Sequence, residues 1–227
     1  MGIVDFHSHI LPGADHGSSS LRTSLLQLER ALKSGVDRIV ATPHFYPHRH
    51  KLDAYLERRA KAVSLIKERL TDIHPKIAIG TEVMFCVGFE RFPALSRLCI
   101  GASNVMLFEL PSNDVSLEYV NTAVAIKEMG YRLVLAHAER YPASYVSAFV
   151  NEGIDLQINA LSLCQFSKRR ELSRWFKSKN IVAFGSDAHG QDKRAYRAFS
   201  KAVRRVGDAF DYVQASSDAM WEQFETI

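Results

Sequence analysis

Apolar and polar positions along this chain follow two different periods. Leu21, Leu25, Leu28 and Leu32 recur at spacings of three and four, which predicts a helix with Ser18, Ser19 and Ser20 as N-cap candidates and Gly35 as its stop. Leu52, Tyr55, Leu56, Val63, Ile66 and Leu70 form a second stripe among Lys, Arg and Glu, read as a core-facing side rather than a partner site. Between such stretches lie short apolar runs that end on a polar residue: Ile3-Val4 into Asp5, Arg38 to Thr42 before His44, and Lys76 to Thr81 before Glu82. Asn104 to Phe108 ends at Glu109, Arg132 to Ala136 at His137, Leu156 to Ile158 at Asn159, and Ile181 to Ser186 at Asp187. That makes seven expected strands. Strand and helix in alternation predict parallel strands with crossover helices, an α/β (β/α)7 TIM-like barrel. No linker or composition break divides it, so residues 1–227 are expected to form one domain.

Composition adds limits. With 47% hydrophobic and 24% charged residues, the chain reads as globular, neither disordered nor fibrous. It has no apolar stretch of the ~20 residues that a membrane helix needs. No secretory leader pattern opens it, so a cytoplasmic location and no membrane insertion are expected. Cys86, Cys99 and Cys164 are odd in number and scattered, which argues against a disulfide framework or a cysteine zinc site. A net charge of +4 and a pI of about 9.0 favour anionic partners without identifying nucleic acid, and none is expected.

The chemistry lies at the strand exits. In a parallel barrel the C-terminal strand ends form the active face. The exits here carry His7, His9, His44, Glu82, Glu109, His137, Asp187 and His189, with Asp15 and His16 in the first loop. Asp5, His7 and His9 share one strand face by parity; Glu82 shares one with Gly80 and Ala78, and Asp187 one with Gly185 and Ala183, leaving room inside. A single such His or Glu is an ordinary solvated strand end. Carboxylates gathered at one semi-enclosed mouth would instead each lose several kcal/mol of hydration unless cations compensate. Imidazole with carboxylate and no thiolate suits manganese, iron or zinc, and the set is too large for one tetrahedral ion. Two or three divalent metal ions are therefore expected. Closely spaced metals ionise a bridging water and clamp an in-line displacement at phosphorus, so phosphate-ester hydrolysis is the leading reaction class.

The motifs His7-Ser8-His9, Thr42-Pro43-His44, Gly80-Thr81-Glu82, Ala136-His137-Ala138-Glu139-Arg140-Tyr141 and Ser186-Asp187-Ala188-His189 resemble the polymerase and histidinol phosphatase (PHP) superfamily. More narrowly, they resemble the bacterial tyrosine phosphatases encoded with capsule and exopolysaccharide genes. The resemblance spans Asp5 to about Arg194. It implies a distorted seven-stranded barrel, manganese-dependent phosphomonoester hydrolysis, and a phosphotyrosine protein substrate, a tyrosine autokinase of polysaccharide export. By motif it implies His7, His9, His44, Glu82, Glu109, His137, Asp187 and His189 as metal ligands, with Arg140 and Arg194 holding the phosphate in bidentate fashion. His44 or His189 is alternatively the proton donor to the leaving phenolate. The family's second aspartate of the first loop, a ligand there, is replaced by His16, a neutral candidate ligand for a third metal. Ala138 stands where the family has proline, and Gln157-Ile158-Asn159 matches a segment that supports the site.

The residues leave three other readings. Cys164 and Arg170 have the spacing of phosphatases that form a phosphocysteine, but Gln165 to Arg169 contains no glycine and Glu171 follows in place of a hydroxyl residue. A histidinol-phosphate phosphatase or a nuclease of the same superfamily could use the same metals. A non-enzymatic, metal-stabilised kinase-interaction module would contact an acidic partner through the basic helix from Arg194 to Arg205. Against a phosphate-holding role, Arg194 is alternatively part of a solvated face with Arg197, Lys201 and Arg204. Oligomeric state has no signal in the sequence.

Overall fold

Strand and helix alternate as the periods predict. The computed structural model describes residues 2–111, 116–165, 169–190 and 193–227. The strands are β1 (Ile3–His9), β2 (Val36–Ala41), β3 (His44–Phe45), β4 (Lys76–Ile79), β5 (Glu82–Met84), β6 (Val105–Glu109), β7 (Arg132–Leu135), β8 (Asp155–Asn159), β9 (Ile181–Gly185) and β10 (Ala188–His189). The helices are α1 (Leu21–Lys33), α2 (Leu52–Lys67), α3 (Leu117–Glu128), α4 (Ala143–Asn151), α5 (Arg169–Lys177), α6 (Lys193–Val206) and α7 (Asp208–Trp221). α1 begins where Ser20 Oγ accepts from the Thr23 N–H at 3.2 Å, and ends before Gly35, whose φ of +80° is the left-handed turn that glycine takes without strain. Leu70, the last member of the second stripe, lies beyond the end of α2.

All ladders between these strands are parallel, in two sheets. One has the order β10-β1-β2-β4 and the other β3-β5-β6-β7-β8-β9. The seven runs expected as single strands are thus described as ten shorter ones. The reason is local. Pro43, which has no N–H to give a ladder, separates β2 from β3. Gly80 and Thr81 separate β4 from β5, and a Cβ at Gly80 would stand 2.9 Å from Ile100 Cγ1. Ser186 and Asp187 separate β9 from β10, with Asp187 in the left-handed region at φ +49°.

The apolar residues form two clusters. The larger includes Leu28, Ile39, Ile77, Phe108, Leu135 and Phe199 and joins strands to helices. The smaller includes Val40, Ala78, Val105, Leu107 and Val134 and meets Met220, Trp221 and Phe224 at and beyond the end of α7. Along parallel strands with a period of two, this smaller cluster points to the site: Val40 shares a face with His44, Ala78 with Glu82, and Leu107 with Glu109. Apolar packing toward the N-terminal ends of these strands gives way to ionisable groups at their C-terminal ends.

Candidate metal centre

β1 delivers His7 and His9, both fully buried. Their Nδ1 atoms are already engaged. His7 Nδ1 lies 3.1 Å from Gln157 Oε1, which also accepts from the His137 backbone N–H at 2.9 Å, so the His7 Nδ1–H is the donor. His9 Nδ1 lies 2.6 Å from Asp15 Oδ2, and Asp15 in turn accepts from the backbone N–H of Gly17 (2.8 Å) and His44 (3.0 Å). With Nδ1 protonated and held, each Nε2 presents its lone pair inward, the usual arrangement of a metal-ligating histidine. The two Nε2 atoms are 3.1 Å apart, and each is 3.3 Å from Glu82 Oε2.

Around them stand the other strand-exit residues. His44 Nδ1 is 2.8 Å from Glu82 Oε2 and 3.2 Å from Glu109 Oε1. His137 Nε2 is 2.9 Å from Glu82 Oε1 and 3.7 Å from Glu109 Oε2. Asp187 Oδ1 is 3.5 Å from His9 Nε2 and 3.4 Å from His189 Nδ1. His137 at φ +34° and Asp187 at φ +49° are non-glycine residues in the left-handed region, a conformation that costs roughly 1–2 kcal/mol and turns each residue out of its strand. Gly185 makes space beneath them: a Cβ there would fall 2.6 Å from both Gln157 Nε2 and His7 Cβ.

These donors form three overlapping groups whose ligand atoms lie within 4.8 Å of one another: His9-His44-His189, His7-His9-Glu82 and His44-Glu82-Glu109. Among the described residues, His44 Nδ1, Glu82 Oε2, Glu109 Oε1 and His189 Nε2 are buried without a hydrogen-bond partner. Unaligned donor atoms facing a common point are what a divalent cation satisfies, and the nitrogen and oxygen set with no sulfur suits a hard or borderline ion. The residues therefore fit such a group.

Residues 3–216 match the family described as capsular polysaccharide synthesis, CpsB/CapC. This chain belongs to the CpsB/CapC family. The tyrosine-protein phosphatase YwqE of Bacillus subtilis is 28% identical over 240 residues, covering 99% of this chain and 93% of that protein. The tyrosine-protein phosphatase CpsB of Streptococcus pneumoniae is 26% identical over 211 residues, covering 85% of each. A chain reported among the crystal structures of these two, which are described there as unique metal-dependent tyrosine phosphatases, superposes with a TM-score of 0.77 at 22% identity. It covers 99% of this chain and 97% of its own length. At that identity the superposition speaks for the fold.

The fold of this CpsB/CapC chain brings eight of the expected ligands together and sets His16 apart. The His16 ring is exposed at the rim, stacked 4.8 Å from His44 and 4.7 Å from His189, whereas His137 and Asp187, which like it fall outside the three donor groups, are ion-paired with members of them. Arg140 is half-exposed and pairs with Asp187 Oδ2. Beside that pair opens a cleft of about 410 Å³ that includes Arg140, Asn159, Gln165, Ser186 and Ala195. Arg194, exposed in the first turn of α6, precedes Ala195 in the chain and does not line the cleft. The stretch from Cys164 to Arg170 crosses residues 166–168, which lie outside the described residues.

Electrostatics bind the cluster. In the metal-free protein Glu82, Asp187 and Asp15 raise the His7 and His9 imidazoles against their burial, so both take up a proton that a bound metal would displace. Burial works to raise the Glu82 carboxyl, but the charge of His7 and the contacts of His137 and His44 hold it well below its ordinary range. Asp187 is likewise held low against its burial, by His9 and His7. Burial alone would lower the His44 imidazole, yet Glu109 and Glu82 raise it to about 9; burial and the charge of His9 push His189 down to about 4. Asp5, on the same face of β1, is raised to about 7 by complete burial while it accepts from the Ser186 N–H at 2.7 Å.

The sequence places Asp15 with His16 in the first loop of the cluster without a role of its own, and gives Gln157 and Asn159 only a general supporting role. The alternation Gln157-Ile158-Asn159 in a strand was the available signal, since two amides on one face of a buried strand need polar partners. They find them: Gln157 Nε2 donates to Asn159 Oδ1 at 3.0 Å, and Asn159 Nδ2 donates to Asp187 Oδ2 at 3.1 Å. Tyr46, whose ring stacks 5.2 Å from His44, had no sequence signal.

Proposed function

We propose that this chain is a metal-dependent protein-tyrosine phosphatase whose substrate is a phosphorylated tyrosine kinase of capsule or exopolysaccharide export. The observation that carries the reading is the convergence of three donor groups, with unaligned buried nitrogen and oxygen atoms, at the strand exits. The names of the family's curated relatives supply the substrate class. His7, His9, His44, Glu82, Glu109, His137, Asp187 and His189 would hold two or three divalent ions, manganese first among them, with iron and zinc as alternatives. His16, at the rim, would serve a third ion only by turning its ring inward. When bound, such ions neutralise phosphate oxygens and acidify water for hydrolysis.

The chain's own groups would do the rest. Gln157 and Asp15 fix the tautomers of His7 and His9. Arg140 lies at the boundary between the cluster and the cleft, where its guanidinium can hold a phosphate, and Arg194 would approach from α6. His44, wedged between Glu82 and Glu109, fits a ligand better than a proton donor. His189 donates its Nδ1–H to the Asp187 carbonyl at 3.0 Å and is pushed down to about 4, which leaves Nε2 with a lone pair at neutral pH, so it too fits a ligand better than a proton donor.

The reading includes a distorted seven-stranded barrel as one domain. Its support is that hydrogen bonds cross each break between short strands: Thr42 N–H to Ser8 O at 2.9 Å, Gly80 N–H to Ala41 O at 2.8 Å, and Asp187 N–H to His7 O at 2.8 Å. β9 pairs with β8 and β10 with β1, so the last run touches both the sixth and the first. A cytoplasmic location accords with the three free cysteines.

The test is metal analysis of the purified protein together with turnover of a phosphotyrosine peptide, histidinol phosphate and an oligonucleotide, with and without chelator. Two or three equivalents of metal and chelator-sensitive preference for the peptide are expected. Chelator-resistant turnover that Cys164→Ser abolishes would refute the reading.

A further inference from the structure

Next to the cleft lies a second and larger depression, of about 1040 Å³, formed by α5, the end of α6 and the start of α7. Its charge is one-sided. Arg170, Arg174, Lys177 and Arg205 line it, and no carboxylate is among the lining residues whose side chains are described, Glu171 lying outside them. The floor is apolar, with Leu163, Leu172, Phe176 and Val206. Gln165 lines both this groove and the 410 Å³ cleft that holds Arg140, so the two are continuous at that residue.

The walls are held from within. Arg205 donates to the carbonyls of Leu163 (3.5 Å) and Cys164 (3.1 Å), which fixes the guanidinium without cancelling its charge. Phe176 packs against Phe184 with ring centroids 6.2 Å apart, so it serves as floor and not as a free stacking platform of the kind that single-stranded nucleic acid uses. Arg170, Arg174 and Lys177 are spaced by four and three, which sets them on one helix face. Along the axis Arg170 and Arg174 are separated by roughly 6 Å and Arg174 and Lys177 by roughly 4.5 Å, within reach, by long flexible side chains, of the ~6.6 Å between alternate side chains of an extended peptide.

We propose that this groove receives an acidic, extended segment flanking the phosphotyrosine of the substrate protein, with carboxylates at alternate positions opposite Arg170, Arg174 and Lys177. The inference rests on the phosphatase reading and adds the sequence context that the enzyme selects. Apolar side chains between the carboxylates would meet Leu172 and Phe176.

Turnover is to be compared on two phosphotyrosyl peptides of equal length, one with Glu and one with Gln at alternate positions on both flanks, and on p-nitrophenyl phosphate. The native protein is expected to favour the acidic peptide by about tenfold in kcat/KM, through KM, with the preference shrinking as salt screens the pairs. The double variant Arg174→Glu/Lys177→Glu is expected to lose that preference and keep its p-nitrophenyl phosphate turnover. The milder Lys177→Gln, assayed alongside, should show a partial loss of the same kind. Equal kcat/KM on the two peptides, with p-nitrophenyl phosphate still hydrolysed, would overturn the groove and leave the phosphatase standing. No turnover of any of the three would remove the phosphatase reading, and the groove's role with it. Competition by a single-stranded oligonucleotide at lower concentration than the acidic peptide would also overturn it, assigning the surface to nucleic acid.

Discussion

Asp15 touches two of the histidines in the cluster and holds neither by chance. Its Oδ2 takes both the His9 Nδ1–H and the His44 N–H, so it orients one ring and anchors the backbone of the other. Asp15→Asn would keep the volume while removing the charge-assisted acceptor. Metal affinity is expected to fall about 10- to 100-fold, measured by titration with a competing chelator, with the fold intact by circular dichroism. His44 gives a pH signature. In the metal-free protein its pKa is raised from 6.5 to about 9. A base raised on folding contributes stability that is fully present below about 6.5 and lost as pH rises through about 9. Thermal unfolding of the metal-free protein should therefore show a falling Tm across that window, and His44→Gln should flatten the fall. A Tm that rises from pH 6.5 to 9 in the metal-free protein would contradict the pairing with Glu109 and Glu82.

At the level of elements, the strand exits were legible because a parallel strand of known direction places its last polar residue on one face of the sheet. That is why His7, Glu82, Glu109 and Asp187 could be named together from sequence. The breaks within strands were less legible. Pro43 announced itself, but the separation of β9 from β10 rests on a left-handed Asp187, and nothing about an aspartate in sequence specifies that φ. Nor could spacing alone show that Asp15, and not His16, would face His9, since loop residues lack the period that fixes a side chain's direction. Gly185 illustrates how an element serves the site by what it omits. Gly185→Ala would thrust a methyl into Gln157 and His7, destabilising the protein by about 1–3 kcal/mol in denaturant titration. Because the displaced groups are the His7 ring and its amide partner, metal content should drop in the same variant. Loss of stability with full metal content would show that the strand yields instead.

Across the whole molecule, the apolar cluster that includes Val40, Leu107 and Val134 packs against Met220, Trp221 and Phe224, with Phe6 and Phe224 rings 6.0 Å apart. Trp221→Ala is expected to cost about 3–5 kcal/mol by unfolding titration while leaving the ligand set and its metal stoichiometry unchanged. A change in stoichiometry would mean that this packing, and not the strand exits alone, shapes the site. The contact between Asp5 and Ser186 spans 181 residues of chain. A ribosome makes His7 and His9 well before Asp187 and His189, with Glu82, Glu109 and His137 spaced between. A growing polypeptide thus carries an incomplete donor set until Asp187 and β10 have emerged and docked on β1. Metal loading becomes a late event of biogenesis, coupled to a long-range contact of the fold.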